Sequence, residues 1–165
     1  MKKLLISAVL VIAVAAASPA MAFNKGTIRL GTGTGFSSAT LDFDNGGSLD
    51  TDMLAIDMGY FITDTVEIAL EYADESLDDL DITTIGVAGK YYIPMDKNFI
   101  SVGGGYETLD YDTVDGSAIF LTAAYNLMIK SYFSIDFYFL IGQGDLDGED
   151  FDTTDVGVTY SIYFN

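Results

Sequence analysis

Hydrophobic and polar residues alternate with a period of two along most of the chain. In the segment VEIALEY, residues 66–72, large apolar side chains occupy every second position, and Glu67 and Glu71 lie between them. A period of two is typical of a β-strand with two unlike faces. No helical period follows residue 22, so the chain is predicted to be all-β.

Eight segments share this alternation, and each is predicted to be a strand. They are residues 26–36, 51–61, 66–72, 82–93, 98–109, 117–128, 132–142 and 155–164. Most of them have roughly the ten residues that a tilted strand needs to cross a bilayer. A tight turn around Thr63 and Asp64 is expected to join the second strand to the third.

The connections between these strands alternate in length and in charge. The long ones are acidic and are predicted to be loops: SSATLDFDNGGSLD, ADESLDDLD, LDYDTVDG and QGDLDGEDFDTT. The short ones are ITDT, PMDK and MIKS, and Lys25, Lys97 and Lys130 lie at their end of the structure. This asymmetry predicts an eight-stranded antiparallel up-and-down transmembrane β-barrel with both termini in the periplasm.

The two faces of the strands differ in the size of their side chains. One face carries large apolar residues such as Phe133, Phe137 and Phe139, and the other carries mainly Gly, Ala, Ser and Thr. A narrow lumen suits the small set, so we expect the large set to contact lipid. Aromatic residues near the short turns are expected to form an interfacial girdle. They are Tyr60, Phe61, Tyr91, Tyr92, Phe99, Tyr132 and Phe133.

The first 22 residues have the pattern of a cleaved signal peptide. Lys2 and Lys3 precede an apolar run, and Ala20 and Ala22 flank a small-residue cleavage site. An N-terminal membrane anchor is the alternative, but the run is short for a membrane span. Residues 23–165 are then one exported domain, which contains no Cys and therefore no disulfide.

The exported part is strongly acidic. It contains five basic and 25 acidic residues, a formal charge of −20. Such a charge argues against nucleic acid and favours cations or basic partners. Residues 41–47 and 145–152 are faintly similar to calcium loops, but neither has the full twelve-residue pattern. No metal site is predicted, although divalent cations could bridge these loops to lipopolysaccharide.

A few charged residues fall on the face that is predicted to line the lumen. Arg29 and Lys90 are the only basic ones, and the acidic ones are Asp57, Glu67, Glu71, Glu107 and Asp136. Buried charges need partners, so we expect an internal ion-pair network that plugs the lumen. The alternative is a cation-selective pore lined by carboxylates.

The chain resembles the small outer-membrane β-barrels of Gram-negative bacteria, the OmpA transmembrane-domain and OmpX/Ail-like group. The resemblance rests on the strand pattern and on the end of the chain, VGVTYSIYFN, where Asn165 makes the last aromatic residue penultimate. It implies a location in the outer membrane, contact with lipid and lipopolysaccharide, and recognition by the barrel-assembly machinery. The residues of this assembly signal are Val156, Val158, Tyr160, Ile162 and Phe164.

Three functions fit these features. The first is a structural or porin-like outer-membrane protein that passes small solutes or cations to a limited extent at most. The second is an adhesion module that acts through its acidic extracellular loops, and the third is a soluble secreted barrel that binds a ligand. No catalytic activity and no cofactor is expected, since the chain has neither His nor Cys to act as base or nucleophile.

Overall fold

The computed structural model describes residues 23–33, 38–43, 48–51, 53–77, 80–111 and 114–165, so the predicted signal peptide lies outside the described residues. No helix in these residues is long and apolar enough to cross a membrane. Their secondary structure consists of ten strand segments. These are β1 (Ile28–Gly33), β2 (Ser38–Phe43), β3 (Ser48–Thr51), β4 (Met53–Phe61), β5 (Val66–Leu77), β6 (Leu80–Met95), β7 (Asn98–Tyr111), β8 (Val114–Lys130), β9 (Phe133–Leu146) and β10 (Glu149–Phe164).

The segments form one closed antiparallel barrel. From β4 to β10 each strand pairs with the next one in sequence, and β1 pairs with both β4 and β10 to close the sheet. The segments β1 and β2 follow one another along β10, and β3 and β4 together form the second strand of the barrel. The ten segments thus make eight barrel strands, which confirms the predicted eight-stranded up-and-down fold.

The first and last described residues and three tight turns lie at one end of the barrel, here called the terminal end. The amide N–H of Gly26 donates to the Phe61 carbonyl at 2.9 Å, and the N–H of Tyr163 donates to the Tyr132 carbonyl at 2.9 Å. The Thr27 hydroxyl donates to Asn165 Oδ1 at 2.5 Å, so the two ends of the described barrel meet. The turn between β9 and β10 lies at the opposite end, here called the far end.

The prediction of long acidic loops at the far end was wrong. Most of these residues continue the strands: β9 runs to Leu146 and β10 begins at Glu149, so that only two residues separate them. Asp147 and Gly148 both have positive φ, 54° and 82°, as a type I′ hairpin turn requires. Backbone pairing needs no apolar side chain, and the ladder therefore continues through the acidic sequence.

The predicted assignment of the two faces is confirmed. Leu70 is 57% exposed on the outside of the barrel, whereas its neighbour Ala69 is fully buried. The same alternation holds around the barrel and leaves a broad apolar exterior, a surface suited to hydrocarbon rather than to water. Its large members include Ile28, Leu30, Ile56, Met58, Ile68, Tyr72, Ile85, Val87, Ile119, Phe137, Phe139, Ile141, Val156 and Ile162.

Two expectations about the inside of the barrel were wrong. Of the residues assigned to the interfacial girdle, Tyr60 and Tyr132 are exposed, but Phe61, Tyr92 and Phe99 are buried in the lumen. The lumen also holds large apolar side chains beside the small polar ones. They are Leu109, Phe120 and Phe151. Strand alternation explains the first outcome, because Phe61 follows the outward Tyr60 and must point inward, and the large lumen residues likewise alternate with outward neighbours such as Ile119 and Asp152.

Introduction of an arginine on the outer face, in place of Leu70, tests this orientation. We expect Leu70→Arg to lower the free energy of unfolding in lipid vesicles by about 2–4 kcal/mol, the cost of a cation at the middle of the hydrocarbon. Urea titration of vesicle-inserted protein, followed by gel mobility, measures the effect. Asp150→Arg at the exposed far end is the control and should change little. Equal stability of Leu70→Arg and wild type would contradict the lipid-facing assignment.

Candidate functional site

Strand register brings the predicted charged residues to one part of the lumen. Arg29 lies on β1, Asp57 on β4, Glu67 on β5 and Lys90 on β6, and these four strands are consecutive neighbours in the barrel. Asp57 is the Cα partner of Glu71, and Glu67 is the Cα partner of Lys90. Since all five positions share the inward face, their side chains converge.

Arg29 and Glu67 form the centre of the site. The Arg29 Nε donates to Glu67 Oε1 and Oε2 at 3.2 and 3.0 Å, and Nη2 donates to Oε1 at 2.8 Å. Glu67 is fully buried, and Arg29 is 3% exposed. The Tyr92 hydroxyl donates to Glu67 Oε2 at 2.8 Å, and Arg29 Nη2 also pairs with Asp57. Each of these buried charges is therefore compensated, as stability inside a barrel requires.

Lys90 extends the network along the barrel. Its Nζ lies 2.7 Å from Glu71 Oε1 and 3.8 Å from Asp57 Oδ2. Asp57 thus contacts both basic residues and joins the two halves of the site. The five residues Arg29, Asp57, Glu67, Glu71 and Lys90 are called the ion-pair cluster below.

The other two predicted acids lie at the edge of this cluster. Asp136 accepts hydrogen bonds from the Ser134 and Ser161 hydroxyls, each at 2.6 Å. Ser161 in turn accepts a bond from Arg29 Nη1 at 3.2 Å, so Asp136 reaches the cluster through a hydroxyl group. Glu107 lines the cavity on the far-end side of the cluster. Neither serine was predicted, because a small hydroxyl residue on a lumen face is common and carries no special pattern.

A layer of aromatic rings fills the lumen at the terminal end. The ring of Phe23 contacts Phe61, Phe99 and Tyr163 at centroid distances of 4.5, 4.6 and 4.5 Å, and Tyr92 lies 5.3 Å away. These five residues are called the aromatic layer. Tyr92 connects the aromatic layer to the ion-pair cluster, because its ring packs with Phe23 while its hydroxyl donates a hydrogen bond to Glu67. The tilted and edge-to-face pairs among these rings are favourable arrangements.

The barrel is similar to solved structures of several outer-membrane proteins. It superposes on Neisserial surface protein A (NspA) with a TM-score of 0.68 at 11% identity, over 86% of this chain and 98% of that one. For OprG of Pseudomonas aeruginosa the score is 0.52 at 11% identity, over 87% and 98% of the chains. For Ail of Yersinia pestis it is 0.50 at 12% identity, over 84% and 99%.

The chain has the fold of these small outer-membrane β-barrels. At such identities the likeness shows the fold, and the site has to be argued from its own geometry. No protein-family model matches the sequence, and no curated protein matches it significantly.

The remaining predicted sites lie on the outside and at the far end of this barrel. Within the described residues, no group of three or more acidic side chains is placed to hold a metal ion. Residues 145–152 form a hairpin in which the Gly148 N–H donates to Asp145 Oδ1 at 3.3 Å, while residues 44–47 lie outside the described part. The predicted assembly residues lie on the outer face of β10, where Phe164 is half exposed, and their role stays a prediction.

Exchange of Glu67 for an apolar residue tests how much the ion-pair cluster contributes to the stability of the barrel. Glu67→Leu leaves Arg29 with one of its two carboxylate partners, and we expect a loss of about 3 kcal/mol or more in the free energy of unfolding. Ile68→Leu on the outer face of the same strand should cost less than about 1.5 kcal/mol. Urea unfolding of both variants in vesicles gives the comparison. Equal stability of the two variants would contradict a stabilising role of the cluster.

Substitution of Gly59 on β4 tests how closely the ion-pair cluster packs against that strand. A Cβ at Gly59 would collide with the carboxyl group of Glu67, whereas a Cβ at Gly89 would meet no atom within 4 Å. We expect Gly59→Ala to destabilise the barrel by about 1–3 kcal/mol and Gly89→Ala to be neutral or slightly stabilising. Thermal or urea unfolding measures both. A tolerated Gly59→Ala would mean that the carboxylate can move away at no cost.

Proposed function

We propose that this barrel is an integral protein of the bacterial outer membrane with a structural role in the envelope, and that its lumen is closed to ion flow. The observation that carries the proposal is that side chains fill the lumen at two successive levels, the aromatic layer and the ion-pair cluster. The chain has no His or Cys, which supports a role without catalysis.

Barrel size supports a closed lumen. The interior of an eight-stranded barrel is just wide enough for its own side chains. At the terminal end the five rings of the aromatic layer pack on one another, and Phe61 is fully buried. On the far-end side of this layer the Arg29 and Glu67 side chains occupy the next level. An ion would have to displace both layers in order to pass.

A porin-like role is the alternative use of the same lumen. Carboxylates outnumber basic groups there, so any leak should favour cations over anions. In this alternative the ion pairs of the cluster would have to break for an ion to pass. They are short: Arg29 binds Glu67 at 2.8–3.2 Å, and Lys90 lies 2.7 Å from Glu71. The structure therefore supports the closed form more strongly.

The far end supports a second role in surface binding. Exposed acidic residues are concentrated on the strand ends and the turn there. They are Asp110, Asp115, Asp145, Asp147, Glu149, Asp150 and Asp152. We propose that this acidic end contacts lipopolysaccharide through bridging divalent cations, or contacts a basic partner by direct attraction. Insertion would use the last strand, with the barrel-assembly machinery as the partner.

Planar bilayers test the closed lumen. We expect no stable channel events from the purified barrel at either polarity, and none from Phe23→Ala, because the ion-pair cluster remains as a second layer. An open porin inserted into the same bilayer controls for the sensitivity of the recording. Large and stable conductance from the wild type would contradict the proposal and would favour the porin-like role.

A further inference from the structure

A cavity of about 160 Å³ lies inside the barrel, bordered by the ion-pair cluster and extending from it toward the far end. Its size is close to that of the cavity of about 150 Å³ that was engineered into another protein and binds benzene. Phe120 and Leu140 give it an apolar wall, and Asn126 and Asp136, six and four residues nearer the terminal end on the same two strands, give it a polar one. A small molecule with an apolar and a polar part would match both walls.

Asn126 indicates which hydrogen-bonding group a ligand in this cavity should carry. This residue is 3% exposed, and its Oδ1 has no hydrogen-bond partner among the described residues. A buried acceptor without a donor costs about 1–3 kcal/mol, and such groups in native proteins call for an explanation. Asn126 is the Cα partner of Asp136, so an acceptor and a carboxylate stand side by side on the lumen wall. The missing group is therefore a hydrogen-bond donor.

The charge of the lumen favours a donor that is also a cation. Among the described residues, five acidic and two basic side chains line the cavity. They are Asp57, Glu71, Glu107, Asp136 and Asp155, against Arg29 and Lys90. In an interior of low polarity, a formal excess of negative charge attracts cations and repels anions.

The geometry favours an organic cation over a metal ion. The described acidic residues include no group of three or more that could hold a metal. An ammonium group needs less, because each of its three N–H donors requires a single acceptor. The apolar wall would contact the rest of such a ligand, and Phe120 would present its aromatic ring to it.

We propose that the lumen cavity binds a small organic ammonium ion. Its N–H groups are directed at Asn126 Oδ1 and the Asp136 carboxylate, and its apolar part extends toward the far end and packs against Leu140 and Phe120. The site does not depend on conduction, because the aromatic layer closes the terminal end of the lumen whether or not the cavity is occupied.

Binding of three ligands of equal size tests the proposal. The barrel in lipid nanodiscs is titrated calorimetrically with benzylammonium, with benzyl alcohol and with benzoate, and empty nanodiscs correct for partition into lipid. We expect saturable binding of benzylammonium, binding of benzyl alcohol that is at least about tenfold weaker, and no binding of benzoate. Equal affinity for the amine and the alcohol, or no saturable binding of the amine, would overturn the proposal.

Two variants locate the site. Asn126→Leu removes the unpartnered acceptor and fills part of the cavity, and should weaken benzylammonium binding at least about tenfold. Asp152→Asn alters an exposed acid at the far end and should leave binding unchanged. Should Asn126→Leu fail to fold, Asp136→Asn takes its place with the same expectation. Binding that survives these lumen substitutions but is lost in Asp152→Asn would place the cation on the acidic exterior and overturn the proposal.

Discussion

Closure of the sheet is the constraint on which the rest of this structure depends. In hydrocarbon an unpaired strand edge leaves N–H and C=O groups without partners, and each one costs several kcal/mol. The chain meets this demand where β1 pairs with β10, from Ile28 opposite Phe164 to Gly33 opposite Thr159. The bond from Thr27 to Asn165 continues the closure beyond the ladder. Closure with eight strands then fixes a narrow lumen.

A narrow lumen determines which side chains it can contain. Every inward position must be filled, and large residues fit only where their neighbours are small. Gly59 makes room for the carboxyl group of Glu67, and Gly105 makes room for the ring of Phe120. Charged groups add a second condition, since a buried charge without a partner would cost more than the fold can tolerate. Tyr92 shows how the two conditions are met together, because it fills space with its ring and satisfies Glu67 with its hydroxyl.

The parts of this architecture that follow from alternation could be predicted from the sequence. Ile68 and Leu70 point outward and Glu67 points inward because successive side chains of a strand point to opposite faces of the sheet. The same rule places Phe61 inside once Tyr60 is placed outside, and the girdle prediction failed because it counted aromatic residues without their parity. The Asp147–Gly148 dipeptide is a hairpin signal of the same local kind. The position of Phe23 and the cavity beside Asn126 could not be predicted, because both result from contacts between strands that are distant in sequence.

The lengths of the strands explain why the acidic residues gather at the far end. A strand of 17 residues such as β8 spans about 56 Å at 3.3 Å per residue. With a tilt of about 40° this is about 43 Å along the barrel axis, against an apolar band of about 25 Å. The excess carries the aspartates beyond the hydrocarbon, where their charge meets water. Because these residues are held by backbone pairing, a partner that binds them would not have to order a loop, and less binding energy would be lost to conformational entropy. A paired acidic rim is therefore better suited to recognition than the free loops suggested by its composition.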